Sequence, residues 1–141
     1  MIILIRIRGE VNVNRDVEET LNRMRLRKKY SCVVLLNPRE EQLGMIKKIK
    51  DFVAFGKINA ETFEKLIEKR GQIIDSKKKV NARETVKEFE KGKKMEELNL
   101  KPFFRLHPPR GGIDSKKHFG VAKGVLGNHG EKINELLERM L

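Results

Sequence analysis

Ser31-Cys32-Val33-Val34-Leu35-Leu36-Asn37-Pro38-Arg39-Glu40 is the stretch on which the fold turns. Ser31 to Leu36 is a continuous β-branched and aliphatic run, the pattern of a buried strand. It passes straight into a helix start, with Asn37 at the cap, Pro38 at the first helical position and Glu40 three residues after the cap. Beyond it Met45, Ile49, Phe52 and Val53 share one face, with Ile46 beside them. The spacing predicts a helix running to about Val53, with Lys47, Lys48 and Lys50 turned away from the stripe.

Upstream, Ile2 to Arg8 alternates as a strand does. Ile3, Ile5 and Ile7 form a core face, while Ile2, Leu4, Arg6 and Arg8 form a face that begins apolar and ends cationic. Gly9 and Asn12 punctuate the exit, and Asn14 caps a helix with Asp16 in its first turn. Val17, Leu21 and Met24 give that helix an apolar face, and it closes on Arg23, Arg25, Arg27, Lys28 and Lys29. These cations suit a helix C-terminus, but five exceed what a cap requires, so phosphate contact and a solvated helix end both remain open. Downstream, Phe55 to Ile58 predicts a third strand. The order β-α-β-α-β over residues 1–58, with both helices on one side of the sheet, is a two-layer α+β sandwich.

Residues 59–100 are expected to be a helical extension. Asn59 is a cap, Phe63, Leu66 and Ile67 form a stripe, and Gly71 is a stop. Ile73 and Ile74 can form a short strand. Asn81 with Glu84 repeats the capping pattern ahead of Val86 and Phe89, and two short helices break near Gly92. At the far end, Ile133, Leu136, Leu137 and Met140 predict a last helix.

Lysine and arginine number 32 against 20 aspartates and glutamates, for a net charge of +12. That excess points to nucleic acid or an anionic membrane as partner. No apolar run approaches the roughly 18 residues of a membrane span, and the N-terminal apolar run is too short for a signal-peptide core. The expectation is a cytosolic protein. Cys32 is the one cysteine, which leaves no internal disulfide and no cysteine zinc site; its expected role is a small buried hydrophobe.

The candidate site lies in residues 101–141. Lys101 to Gly130 holds three of the four prolines, six of the eleven glycines and all three histidines. Proline fixes φ and glycine opens positive φ, so this backbone is specified without being regular. Phe103, Phe104 and Phe119 argue against disorder. The reading is an ordered loop fitted to a polyanion. Arg110-Gly111-Gly112 puts a guanidinium beside two residues lacking Cβ, so backbone N–H groups and a bidentate cation can approach phosphate together. Pro108 and Pro109 stiffen the approach. Arg105, Lys116, Lys117 and Lys123 extend the footprint, His107, His118 and Phe119 can stack on or hydrogen-bond to bases and sugars, and Arg27, Lys28 and Lys29 are further candidates. His107, His118 and His129 are spaced by eleven and match no zinc pattern. No metal, cofactor or small-molecule substrate is indicated. Gly124-Val125-Leu126-Gly127 matches a bare GXXG, but a turn before the last helix is the simpler reading.

Arg105-Leu106-His107-Pro108-Pro109-Arg110-Gly111-Gly112, followed by Leu126-Gly127-Asn128-His129-Gly130-Glu131-Lys132-Ile133-Asn134, resembles the C-terminal signature of the L thirty family of large-subunit ribosomal proteins. The likeness is to its archaeal form, whose eukaryotic relatives are called L seven. The first half resembles that family's ferredoxin-like core; residues 72–100 match nothing. The resemblance implies an antiparallel sheet of order 3-1-2, a non-enzymatic structural role, contact with large-subunit rRNA near 5S rRNA, and neighbouring ribosomal proteins in the cytoplasm. Two other readings stand beside it: a free RNA- or DNA-binding regulatory or architectural protein, and an RNA-acting enzyme using His107 and His118.

Overall fold

The computed structural model describes residues 1–9, 13–113, 115–118 and 124–141, with residues 115–118 described as backbone. Strand β1 (Ile2–Arg6) is central and lies antiparallel between β2 (Ser31–Leu35) and β3 (Val53–Lys57), with Leu4 opposite Val33 on one side and Phe55 on the other. This is the expected order 3-1-2. The sheet then grows at both edges. β4 (Phe104–Arg105) runs antiparallel to β2, while β6 (Gly124–Asn128) runs parallel to β3 and β5 (Ser115–His118) parallel to β6. Among the described residues the result is a mixed sheet of six strands.

The antiparallel expectation therefore holds for the central three strands and for β4, while β5 and β6 pair in parallel. Three short strands come from the stretch expected to be irregular, and Gly124–Gly127 lies in β6, where a turn was expected. The edges of a three-stranded sheet offer a row of unpaired N–H and C=O groups. Pairing with such an edge overrides weak local propensity.

Both faces of the sheet are buried. Leu4, Val33 and Val53 pack against Leu21, Met24 and Leu26 from α1 (Arg15–Arg23) and its exit turn, and against Ile46 and Ile49 of α2 (Glu40–Ile49). That is the two-layer core. Ile3, Ile5 and Ile7 face the other way. They are covered by α3 (Ala60–Arg70), α4 (Ala82–Glu90) and α5 (Ile133–Met140) through Phe63, Leu66, Ile67, Val86, Phe89, Ile133 and Leu137. These three helices thus add a third layer. Gly56 lets it close, because a Cβ there would overlap the Gly130 carbonyl oxygen and stand 2.9 Å from Ile133 carbons. Cys32 is fully buried in β2, and burial pushes its thiol pKa far up.

Asn14, Asn59 and Asn81 cap α1, α3 and α4 with their side-chain oxygens, as expected. Asn37 does not cap α2. The helix starts at Glu40, and the Gln42 side chain reaches back to accept the Arg39 N–H at 3.0 Å. It ends at Ile49, four residues short of the expected Val53, because Val53 is claimed by β3 opposite Arg6. Helix α1 also stops early. Arg25 adopts φ 62° and the Leu26 N–H returns to the Leu21 carbonyl at 2.8 Å, which closes a Schellman turn. Past α4, Gly92 at φ 103° breaks the chain, as expected, but only a single 3-10 turn (Glu96–Leu98) follows. Where a short strand through Ile73 and Ile74 was expected, Ile73 makes one isolated antiparallel bridge to Leu100 and Ile74 lies in a bend.

Candidate nucleic-acid interface

The turn from α1 to β2 carries Arg27, Lys28 and Lys29 between two non-glycine residues in the left-handed region, Arg25 at φ 62° and Tyr30 at φ 66°. Arg6 supports it from beneath. Expected on a cationic surface, Arg6 is instead 1% exposed, and its guanidinium donates to the Leu26 carbonyl at 2.7 Å and the Arg27 carbonyl at 2.9 Å. Charge-assisted bonds of this kind fix the turn backbone, so Arg27 and Lys28 project from a rigid base.

Strand β4 closes the other wall. Its sequence alternates: Phe104 and Leu106 are buried, while Arg105 is exposed and Phe103 only partly covered. The two walls enclose a groove of about 490 Å3 lined by Arg25, Arg27, Lys28, Ser31, Phe103 and Arg105. The Arg105 guanidinium carbon stands 5.8 Å from the Phe103 ring centroid, a cation–aromatic pair. Arg25 is paired with Glu96 at 3.0 Å, whereas Arg27, Lys28 and Arg105 have no acidic partner among the described residues. Lys29 sits just outside, with Nζ 5.0 Å from the Tyr30 ring centroid. Unneutralised cations beside an aromatic face suit phosphate and base together.

Beyond β4 the chain is tied to α5. The His107 N–H donates to the Met140 carbonyl at 3.0 Å, leaving the exposed imidazole side chain outside, and Pro109 is buried. Arg110, Gly111 and Gly112 then form a turn, with φ 79° and 76° at the two glycines. Only glycine takes such angles without strain. Arg139 clamps this turn. Its Nε donates to the Arg110 carbonyl at 3.0 Å and its guanidinium Nη2 to the Gly112 carbonyl at 2.6 Å, while the Arg110 N–H donates to the Arg139 carbonyl at 3.0 Å. Arg110 itself is exposed.

Among the described residues, the structure thus brings Arg27 and Lys28 together with Arg105 and sets Arg110 on a clamped turn. Lys116, Lys117 and His118 belong to β5. Phe119 and Lys123 lie outside the described residues. His129 is buried, with a ring nitrogen hydrogen-bonded to the Val125 carbonyl, and burial lowers its pKa more than that bond raises it. Sequence reasoning missed Phe103 and Arg25 as groove residues and Arg139 as the clamp. The alternation Phe103-Phe104-Arg105-Leu106 could have found the first; nothing local marks Arg139. Among the described residues no group of His, Cys, Asp and Glu converges as a metal site, and no helix is long and apolar enough to cross a membrane.

Residues 2–53 match the family model described as ribosomal protein L30p/L7e. Over nearly its whole length the chain is similar to proteins named large ribosomal subunit protein uL30. It is 43% identical to that of Archaeoglobus fulgidus, covering 99% of each chain. With the Desulfurococcus amylolyticus protein the identity is 44%, over 98% of this chain and 96% of that one. With the Methanopyrus kandleri protein it is 38%, over 96% and 100%. The chain belongs to the ribosomal protein L30p/L7e family. The family model covers β1 to the start of β3, and the relatives extend over the groove and the arginine turn. The ferredoxin-like core expected from the sequence is thus that of the L30p/L7e family.

Proposed function

We propose that the chain is a structural, non-enzymatic constituent of the large ribosomal subunit in the cytoplasm, and that it binds large-subunit rRNA through the groove and the arginine turn. One observation carries this reading: two basic segments 77 residues apart, at Lys28 and Arg105, meet around a partly exposed phenylalanine, with no acid facing Arg27, Lys28 or Arg105 among the described residues. In this reading Arg27, Lys28, Lys29, Arg105 and Arg110 hold phosphates. Phe103 under Arg105 offers a face for an unstacked base. Gly111 and Gly112 allow close backbone approach, and His107 reaches a base or sugar. Lys116, Lys117, His118, Phe119 and Lys123 carry the same footprint into the following segment. A place beside 5S rRNA and contacts with neighbouring ribosomal proteins belong to the proposal. In outline, residues 1–58 are the core, 59–100 the extension and 101–141 the RNA-binding segment.

Filter binding to refolded large-subunit rRNA across a salt series is the test. Each phosphate no longer neutralised lowers the salt slope by about 0.7–0.9. Arg27→Ala/Arg105→Ala and Arg110→Ala should each weaken binding and flatten the slope. Unchanged affinity and slope in both variants would refute the assignment. Sedimentation of extract separates the reading from a free nucleic-acid-binding protein, which would stay near the top of the gradient.

A further inference from the structure

Between α3 and α4 the chain reads Gly71-Gln72-Ile73-Ile74-Asp75-Ser76-Lys77-Lys78-Lys79-Val80. Ile73 and Ile74 are 48% and 53% exposed. Single apolar residues on a surface need no explanation; here two large ones are consecutive in the chain and each about half exposed. Lys77, Lys78, Lys79 and Lys101 are exposed around them and have no acidic partner among the described residues.

This turn is held in one shape by Asn99, itself left-handed at φ 63°. The Asn99 side-chain oxygen accepts the Asp75 N–H at 2.8 Å, and its amide nitrogen donates to the carbonyls of Asp75 at 2.9 Å and Lys78 at 3.3 Å. Its own carbonyl accepts the Ile74 N–H at 3.1 Å, and the Lys101 N–H donates to the Gln72 carbonyl at 2.9 Å. A connector between two helices needs no such network. A surface that must meet a rigid partner does, because preorganisation removes the cost of ordering on contact.

We propose that residues 73–79 with Lys101 form a second RNA-contact surface. The lysines take phosphates, and Ile73 with Ile74 packs on the sugar and base edges of folded RNA. Through Lys101 and Pro102 the surface adjoins the groove at Phe103 and Arg105. Protein interfaces are depleted in lysine, and four lysines against the single acid Asp75 leave a cationic surface that favours RNA over a protein partner.

The inference rests on the proposed rRNA-binding role, and the experiment separates the two. The probe is refolded large-subunit rRNA, with the purified full chain titrated across a salt series. The wild type and Arg110→Ala report on the groove-and-turn reading. Lys77→Gln/Lys78→Gln/Lys79→Gln should flatten the salt slope by about 2, at about 0.7–0.9 for each phosphate released. It should also raise Kd at least tenfold. Ile73→Ser/Ile74→Ser should raise Kd about fivefold with the slope unchanged, as expected when buried apolar area shrinks and charge does not change. If the wild type binds and the lysine variant matches it in Kd and slope, this surface is not an RNA contact although the groove-and-turn reading stands. Normal rRNA binding by both variants combined with their failure to enter reconstituted subunits would assign the surface to a protein neighbour and overturn the inference. A wild type that does not bind rRNA refutes the groove-and-turn reading itself.

Discussion

Arg139→Ala separates positioning from contact. Arg139 spends its guanidinium on the carbonyls of Arg110 and Gly112, at 3.0 and 2.6 Å. Removing it deletes two charge-assisted bonds in a solvent-exposed place, where each is worth about 0.5–1 kcal/mol net. The turn loses about 1–2 kcal/mol of bias toward its present shape. The backbone tie from the Arg110 N–H to the Arg139 carbonyl remains, so the variant should fold. If rRNA needs the turn as it stands, that bias reappears as affinity, and Kd should rise about 5- to 30-fold, at tenfold per 1.4 kcal/mol. The salt slope should not change, because a guanidinium engaged with two carbonyls contributes no phosphate contact. Arg110→Ala should flatten the slope by about 0.7–0.9. Amide exchange near Gly112 should quicken in Arg139→Ala and stay slow in Arg110→Ala. Wild-type Kd in Arg139→Ala would show that the clamp does not prepare the turn. A slope change equal to that of Arg110→Ala would show that Arg139 touches phosphate directly.

Two further outcomes test the scaffold. Gly56→Ala places a methyl against the Gly130 carbonyl and 2.9 Å from Ile133 Cβ and Cγ2, none of them a flexible side-chain tip. It should lower unfolding stability by about 1–3 kcal/mol or more, as overpacked cores do; an unchanged urea midpoint would mean that β3 and α5 pack less closely than described. His129 is buried with its pKa below the ordinary 6.5, the largest cause being burial. A depressed folded pKa means that the unfolded chain binds the proton first. The stabilisation is therefore complete above pH 6.5 and is lost as pH falls through the folded value. Thermal melts between pH 7.5 and 5 should show this loss, and His129→Gln should flatten it; equal pH dependence in both chains would refute the reading.

Much of this fold was legible because its core elements obey local rules. The isoleucine alternation in β1, the run at β2, the asparagine caps of α1, α3 and α4, and the stripe of α5 each need only neighbours in sequence to be understood. What was not legible depends on partners far along the chain. Arg6 reads as a surface cation until the turn carbonyls at Leu26 and Arg27 come to meet it. Gly124 to Gly127 reads as a turn until β3 offers an edge. Of the candidate site, the residue types were legible and the assembly was not: nothing near Arg27 announces Arg105, and nothing near Arg139 announces Gly112.

The groove is a property of the three-layer molecule and not of its basic segments alone. Arg105 faces outward because Phe104 and Leu106 on either side of it are buried, and they are buried in the core that α3, α4 and α5 complete over the isoleucine face of β1. Arg27 and Lys28 face outward because Arg6, under the opposite layer, holds their backbone. The two walls therefore draw on the two different cores. Loosening either core should open the groove before it unfolds the chain, and rRNA binding should weaken in core variants that leave every cation in place. Leu66→Ala and Leu21→Ala, one in each core, make that comparison, at a stability cost of about 2–5 kcal/mol each. Binding that survives both substitutions while the chain remains folded would mean that the cations act as independent charges and that their arrangement is incidental.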